Sequence, residues 1–258
     1  MVSTYTSYQL ITRDIDRSID QVERQPVTKR ETEYYLANIT KAKSIEDFLG
    51  DDRLFKYAMK AFGLKDMDYA KAFMKKVLTE GIEDPESFAN SLTDKRYLEF
   101  ATTFDFEGYG SAATVFGRAQ QGTVDKYLRQ TLEENAGKQN EGVRLALYFE
   151  RKAPTLTSYY QVLADPALAQ VVRTALGLPD SFASADVDKQ VALFESRIDI
   201  ADLKDPEKLS KFMQRFTSLW EISNPTSSAQ ASVSVLFGQP AEFGISTDLM
   251  MAMQKMKF

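Results

Sequence analysis

The residue types that most often carry chemistry are either absent from this chain or placed at spacings that do not bring them together. The sequence has no cysteine, which excludes disulfides, thiolate catalysis and zinc–thiolate sites. It also has no histidine, which removes the commonest general base and the commonest metal ligand. Catalysis would have to depend on carboxylates, lysine, tyrosine or serine alone. We therefore expect a protein that is not an enzyme and that needs no cofactor and no metal.

Two groups of carboxylates resemble metal or acid–base sites only superficially. Asp14 and Asp16 lie two residues apart on a predicted helix, so their side chains point in different directions. Asp199, Asp202 and Asp205 lack the central glycine of an EF-hand calcium loop. We interpret the first group as a solvated helix face and Asp205 as a helix cap.

A basic cluster leaves two alternatives open. Arg144, Arg151 and Lys152 lie on a predicted helix, and Arg30 recurs as Arg144 in the repeat described below. These cations could bind an anionic partner. An arginine kept in both copies of a repeat is more often a structural ion-pair or carbonyl-capping residue, and we favour that interpretation.

Two apolar segments are candidate partner-binding surfaces. A spacing of three to four near the N-terminus predicts one stripe of a helix, formed by Tyr8, Ile11, Ile15, Ile19 and Val22. The end of the chain predicts a short amphipathic helix rich in methionine, a residue common at surfaces that repack against partners. In each case the alternative is a helix that folds back onto the core. We predict partner contacts at Tyr8, Ile11, Ile15, Met250, Met253 and Met256.

Composition narrows the class of protein further. Hydrophobic residues make up 43% and charged residues 27% of the chain, which is ordinary for a soluble globular protein. No stretch approaches the roughly 18 apolar residues that span a membrane, and we find no cleavable signal peptide. A net charge of −5 argues against nucleic-acid binding, because phosphate contacts need a basic surface. The expected partner is another protein.

An internal repeat determines the predicted architecture. The segment Arg30–Asp66 recurs without a gap at Arg144–Asp180, an offset of 114 positions. The identical pairs are Arg30/Arg144, Tyr34/Tyr148, Ser44/Ser158, Leu49/Leu163, Asp51/Asp165, Leu54/Leu168, Ala61/Ala175, Gly63/Gly177, Leu64/Leu178 and Asp66/Asp180. Such a repeat indicates a tandem duplication of one helical unit.

The periodicity is helical nearly throughout. Helices are predicted at about 28–39, 51–62, 69–80, 120–135, 141–152 and 186–197, with a loop near 106–114. Gly63 ends the predicted helix at 51–62, and Gly177 ends the copy of that helix. The tripeptide Asp-Pro-Glu predicts a further helix start at both Asp84 and Asp205. A short strand at 232–237 precedes the C-terminal segment.

We therefore predict an all-α fold in which two copies of the unit pack as one pseudo-symmetric body, followed by a short C-terminal tail. Small helical units rarely bury their apolar face alone, which favours one body over two separate ones. The predicted boundaries are 1–110 for the first copy, 111–222 for the second, and 223–258 for a linker and C-terminal amphipathic segment.

Three segments carry a resemblance to a known family. Asn140–Pro179, Arg30–Ile39 and Asp51–Leu64 are similar to an alphaproteobacterial family of unknown function, domain-of-unknown-function family 1217. The resemblance covers roughly residues 1–222, and the family offers no catalytic or binding residues to carry over. Its members resemble proteins encoded among flagellar genes, which implies a part in flagellar structure or assembly.

These observations support three hypotheses from different classes. The first is a non-enzymatic flagellum-associated protein that acts through protein–protein contacts, either cytoplasmic or exported through the flagellar apparatus. The second is a cytosolic helical adaptor or export chaperone that holds a partner peptide in a groove between the copies. The third, an enzyme that uses carboxylates or lysine, would need a buried cluster of convergent charged side chains.

Overall fold

Every regular element of the described chain is a helix, which confirms the predicted all-α class. The computed structural model describes residues 2–225, and no β-strand occurs in that range. None of these helices is long and apolar enough to cross a membrane. The predicted strand at 232–237 and the predicted C-terminal helix lie outside the described residues.

The helices are short and closely spaced along the chain. They are α1 (Thr4–Thr12), α2 (Ile15–Glu23), α3 (Pro26–Asn38), α4 (Ile45–Gly50), α5 (Asp52–Ala61), α6 (Lys71–Thr79), α7 (Phe88–Ser91), α8 (Lys95–Thr103), α9 (Phe106–Tyr109), α10 (Gln121–Gly137), α11 (Glu141–Lys152), α12 (Tyr159–Ala164), α13 (Pro166–Ala175), α14 (Val187–Arg197) and α15 (Pro206–Ser223). Short 3₁₀ helices lie at Ile39–Lys41, Lys65–Met67, Gly110–Ala112, Ala153–Thr155, Asp180–Ser184 and Ile200–Lys204.

The repeated segments adopt the same local structure at the same offset of 114 residues. In the first half, α3, a 3₁₀ turn, α4 and α5 end at Asn38, Lys41, Gly50 and Ala61. The corresponding elements of the second half, α11 to α13, end at Lys152, Thr155, Ala164 and Ala175. The repeat in sequence is therefore a repeat in local structure.

Recurring caps explain why the bounds coincide. Asp51 accepts hydrogen bonds from the second and third backbone N–H groups of α5, and Asp165 does the same for α13. Gly63 and Gly177 follow the two helices with φ of +70° and +68°, a left-handed conformation that favours glycine. In both places the next residue, a leucine, donates its backbone N–H back into the last turn of the helix.

Three sequence predictions need correction. The predicted loop near 106–114 contains helix α9 and the 3₁₀ helix Gly110–Ala112, and the Asp105 side chain caps α9 by accepting a hydrogen bond from the Gly108 backbone N–H. The N-terminal stripe forms two helices, because the Asp14 side chain accepts a hydrogen bond of 3.1 Å from the Arg17 backbone and starts α2. Asp205 caps α15 as predicted, but Asp84 starts no helix. The Asn90 side chain donates to the carbonyl oxygens of Ile82 and Asp84 and holds that segment as a loop.

Two hydrophobic cores lie within the compact unit Val2–Trp220. The first extends from Val22 to Leu132 and is rich in phenylalanine. The second extends from Val143 to Trp220 and also contains Tyr8. Helix α10 therefore packs in the first core, although it follows the predicted boundary between the two copies at 110/111. That boundary stays a prediction.

The junction between the cores is the antiparallel pair α10 and α11. Helix α10 packs on α5 and α2 of the first core, whereas α11 packs on α13 and α1. The side chains at this junction also line a concavity between helices of the two cores.

Candidate binding groove

Two adjoining cavities form one groove between helices of the two cores, called here the central groove. Their volumes are about 350 Å³ and about 590 Å³. Five residues line both cavities: Arg96, Glu99, Tyr148, Lys152 and Asp165. They come from α8, from α11 and from the cap of α13, so helices of both cores form the groove.

Helix α8 brings Arg96 to the end of the first repeat. Asp94 caps α8 and also accepts hydrogen bonds from the Arg96 guanidinium. A further N–H of Arg96 donates to the carbonyl oxygen of Gly63, at 2.6 Å. Burial opposes the charged form of Arg96, but the bonds to Asp94 outweigh it and raise the pKa of the guanidinium. Arg96 thus donates a hydrogen bond to the carbonyl oxygen that follows the end of α5, and it also forms part of the groove wall.

Glu99 pairs with two lysines in the groove. Its carboxylate pairs with the ammonium of Lys126 from α10 and with that of Lys152 from α11, the latter at 3.5 Å. Burial favours the protonated acid, but the two lysines together outweigh it and lower the pKa of Glu99. One carboxylate therefore links helices of both cores.

Tyr148 and Asp165 repeat a contact of the first half. The Tyr148 hydroxyl donates to the Asp165 carboxylate at 2.5 Å, and Tyr34 donates to Asp51 at 2.8 Å. Burial and the neighbouring carboxylate raise the pKa of Tyr148. The phenol therefore stays protonated as a donor, which holds the capping carboxylate of α13 in place.

The smaller cavity has an apolar floor. Leu156 and Leu168 are buried beneath it, and Ala164 lies exposed at the end of α12. At the rim, Tyr160 is 54% exposed, and its hydroxyl donates to Asp188 at 3.0 Å. An apolar floor with a polar rim is the usual form of a binding cleft.

The arrangement of the groove suits binding better than acid–base catalysis, because its five shared residues are not free acids or bases. Each of the five shared residues already has a polar partner within the chain. Among residues 2–225, no cluster of carboxylates has the arrangement of a metal site. An apolar segment of another polypeptide could lie on the floor while its polar groups meet the rim.

The predicted N-terminal contact residues pack within the chain. Tyr8 is 3% exposed and belongs to the second core. Ile11 packs against both cores and Ile15 against the first. Asn140, the cap of α11, donates to the Thr4 hydroxyl at 2.9 Å and ties α1 to the junction. Met250, Met253 and Met256 lie outside the described residues.

The predicted basic cluster is divided by the fold. Arg151 and Lys152 pair with Glu133 and Glu99 at the junction. Arg144 lines the larger cavity and pairs with Glu141. Arg30 lies with Glu31 on the first repeat, so it does not join the others. These pairs are ion pairs within the chain, which is the structural role that we favoured for the arginines.

Sequence reasoning missed the central groove, although part of its signal was present. Tyr148 and Asp165 both belong to identical pairs of the repeat, and a tyrosine and an aspartate kept at one spacing suggest a contact. Arg96 and Glu99 carried no such signal, because their partners lie 33 and 53 residues away in sequence, at Gly63 and Lys152.

Comparison with known proteins places the chain in a family. The sequence profile described as "Protein of unknown function (DUF1217)" matches residues 61–209, more than half of the chain. The chain belongs to the DUF1217 family. The matched range contains α8, α11 and α13, so the central groove lies within the part of the chain that defines the DUF1217 match.

One solved structure extends the comparison. The chain is similar to the X-ray crystal structure of protein AGR_C_984 from Agrobacterium tumefaciens, with 56% sequence identity and a TM-score of 0.80. The match covers 87% of this chain and 98% of that one. No curated protein matches the chain.

Proposed function

We propose that this DUF1217 protein is a non-enzymatic, flagellum-associated protein that acts in flagellar structure or assembly through protein–protein contacts. Support for the flagellar context comes from the resemblance of Asn140–Pro179, Arg30–Ile39 and Asp51–Leu64 to a family whose members resemble proteins encoded among flagellar genes. Support for a binding role comes from the missing histidine and cysteine and from the central groove.

The observation that carries the proposal is an apolar floor beside carboxylates that already have partners within the chain. Leu156, Leu168 and Ala164 form a surface on which apolar side chains can be buried. Glu99 pairs with Lys126 and Lys152, and Asp165 accepts hydrogen bonds from Tyr148 and from the backbone of Ala167 and Leu168. A partner can therefore cover these two carboxylates without leaving either one unsatisfied, which would cost several kcal/mol.

A motility assay with a groove-blocking substitution tests this function. Ala164 is exposed and lines the groove, so Ala164→Arg fills the floor while leaving both cores unchanged. Ala37→Arg is the matched control, because Ala37 is exposed on α3 and lines neither cavity of the groove. We expect a gene-deletion strain to swim again with wild type or Ala37→Arg, and not with Ala164→Arg.

Two outcomes would contradict the proposal. Normal swimming of the deletion strain would remove the flagellar function. Full rescue by Ala164→Arg would remove the groove as the contact surface. Circular dichroism of both purified variants checks that each keeps its helical content and its melting temperature.

A second candidate function is a helical adaptor or export chaperone that holds a partner peptide in the same groove. The apolar floor favours it, because an amphipathic peptide binds by laying its apolar face in such a groove. Cell fractionation distinguishes the two functions. A structural component sediments with isolated flagella, whereas a chaperone stays with the cytoplasmic fraction and is needed only before export.

A further inference from the structure

A second surface lies at residues 107–118, which comprise the end of α9, the 3₁₀ helix Gly110–Ala112 and the turns that follow. This segment is called here the aromatic loop. Three large apolar side chains are exposed on it: Tyr109 at 48%, Val115 at 51% and Phe116 at 39%. The rings of Tyr109 and Phe116 meet edge to face, with centroids 4.8 Å apart. Exposed apolar side chains grouped in this way commonly mark an interaction site.

The aromatic loop is held in place from both sides. Thr114, fully buried, donates its hydroxyl to the carbonyl oxygen of Ala42 at 3.0 Å. At the end of the loop, the buried Tyr35 hydroxyl donates to the carbonyl oxygen of Ala119 at 2.6 Å. Gly110 turns the chain with φ +51° and ψ −129°, a conformation that other residues rarely adopt. Binding to a surface already ordered costs less conformational entropy.

Arg118 places a positive charge beside the two exposed rings, whereas Glu107, the other charged residue of this segment, lies against Gly81. Its guanidinium carbon lies 4.9 Å from the Tyr109 ring centroid and 5.0 Å from that of Phe116. Within residues 2–225 the guanidinium makes no ion pair and no hydrogen bond, so its contacts are these two rings. The planar N–H fork of arginine matches a carboxylate in a bidentate geometry.

We propose that the aromatic loop docks an acidic, apolar polypeptide segment of a partner protein. An aliphatic or aromatic side chain of that segment packs on Tyr109, Val115 and Phe116, and a neighbouring carboxylate pairs with Arg118. Tyrosine and arginine are enriched among the residues that dominate binding energy at interfaces. A nucleic acid is a poor occupant, because the net charge of −5 repels phosphate.

This surface goes beyond the proposed function, because its residues line neither cavity of the central groove. The charged side chains of the central groove differ from that of the aromatic loop in whether they are paired. In the groove, Glu99 pairs with Lys126 and Lys152, and Arg96 pairs with Asp94, whereas Arg118 lacks a carboxylate among the described residues. A partner of the aromatic loop is therefore selected by its negative charge.

Selection from a random peptide library displayed on phage tests the proposal, with the full chain as bait. We expect enriched peptides to carry Asp or Glu within one helical turn of Leu, Ile, Phe or Trp. With Arg118→Glu as bait, the acidic residue should be lost from the enriched peptides and replaced by Lys or Arg. The matched control is Arg24→Glu, since Arg24 is also exposed and has no side-chain partner among residues 2–225.

Two further measurements distinguish binding at the aromatic loop from binding in the central groove and from self-association. Binding of a selected peptide, measured by fluorescence anisotropy, should weaken about tenfold with Arg118→Glu or Phe116→Ser. It should stay unchanged with Ala164→Arg, which blocks the groove. Enrichment without acidic residues, or binding that depends on Ala164 and not on Arg118, would overturn the proposal. Self-association of the purified chain that is lost with Phe116→Ser would assign the surface to a second copy and overturn it too.

Discussion

The carboxylate of Glu133 on α10 is held by both arms of the Arg151 guanidinium on α11. The two hydrogen bonds measure 2.7 and 2.8 Å, and Glu133 is only 1% exposed. Burial disfavours the charge on Arg151, but the bonds to Glu133 outweigh it and raise the pKa of the guanidinium. Because α10 packs in the first core and α11 in the second, this pair ties the two cores together.

Arg151→Met should destabilise the protein by about 2–4 kcal/mol, because it leaves the buried Glu133 with the weaker contact from Arg129 at 3.2 Å. Urea unfolding followed by circular dichroism measures the loss. The double variant Glu133→Gln/Arg151→Met should lose less than the sum of the single variants. Strictly additive losses would mean that the pair contributes nothing as a pair. Arg24→Met, at an exposed site, is the control.

Glu99→Gln should lower the melting temperature at pH 7, because Lys126 and Lys152 then lose their shared counterion. The folded-state pKa of Glu99 is lowered, so its contribution is present above the ordinary glutamate pKa of about 4.3 and is lost as pH falls through the folded value. The difference between wild type and variant should therefore shrink in acid. Glu33→Gln, on the exposed face of α3, provides the comparison. A difference that does not change with pH would mean that packing, not charge, is responsible.

Glu150→Gln should change the melting temperature at pH 7 in the opposite direction to Glu99→Gln. Burial raises the pKa of Glu150, and its carboxylate lies beside the Tyr8 hydroxyl, with Arg129 3.9 Å away. A raised folded-state pKa favours the protonated acid, so its stabilisation is present below about pH 4.3 and is lost as pH rises through the folded value. At pH 7 the uncharged glutamine should therefore raise the melting temperature, and below pH 4 the gain should disappear. A lower melting temperature at pH 7 would show that the attraction to Arg129 outweighs burial.

Gly142→Ala should destabilise the protein, although alanine favours a helix over glycine by about 1 kcal/mol. An added Cβ at Gly142 would lie 2.3 Å from Cδ1 of Trp220, whose ring is buried in the second core. We expect a net loss of about 1–3 kcal/mol, as for other overpacked sites. Trp220 is the chain's only tryptophan, so its fluorescence reports the change directly.

Gly50→Ala is the matched control for that substitution. Nothing lies within 4 Å of a Cβ added at Gly50. The change should be neutral or should stabilise by about 0.4–1 kcal/mol, through the lower entropy of the unfolded chain. An equal loss at both positions would show that Trp220 is not the cause at Gly142.

Local signals in the sequence were sufficient for much of the fold. Asp205 marked the start of α15, and Gly63 and Gly177 marked the ends of α5 and α13, because a cap acts on backbone groups within a few residues of itself. The offset of the repeat predicted equivalent helices, and their bounds recur at that offset. Where a nearby side chain competed, the same logic was wrong, as at Asp14, which divides the N-terminal stripe into two helices.

The sequence by itself therefore determined the all-α class and predicted the repeated unit and several helix ends, since these depend on contacts between residues close in the chain. Only the tertiary structure decided what the exposed and buried side chains meet. It buried Tyr8 in the second core, shared Glu99 between α10 and α11, and left Arg118 stacked on two exposed rings. Each of these depends on packing between segments far apart in sequence, and no periodicity or cap along the chain encodes such a contact.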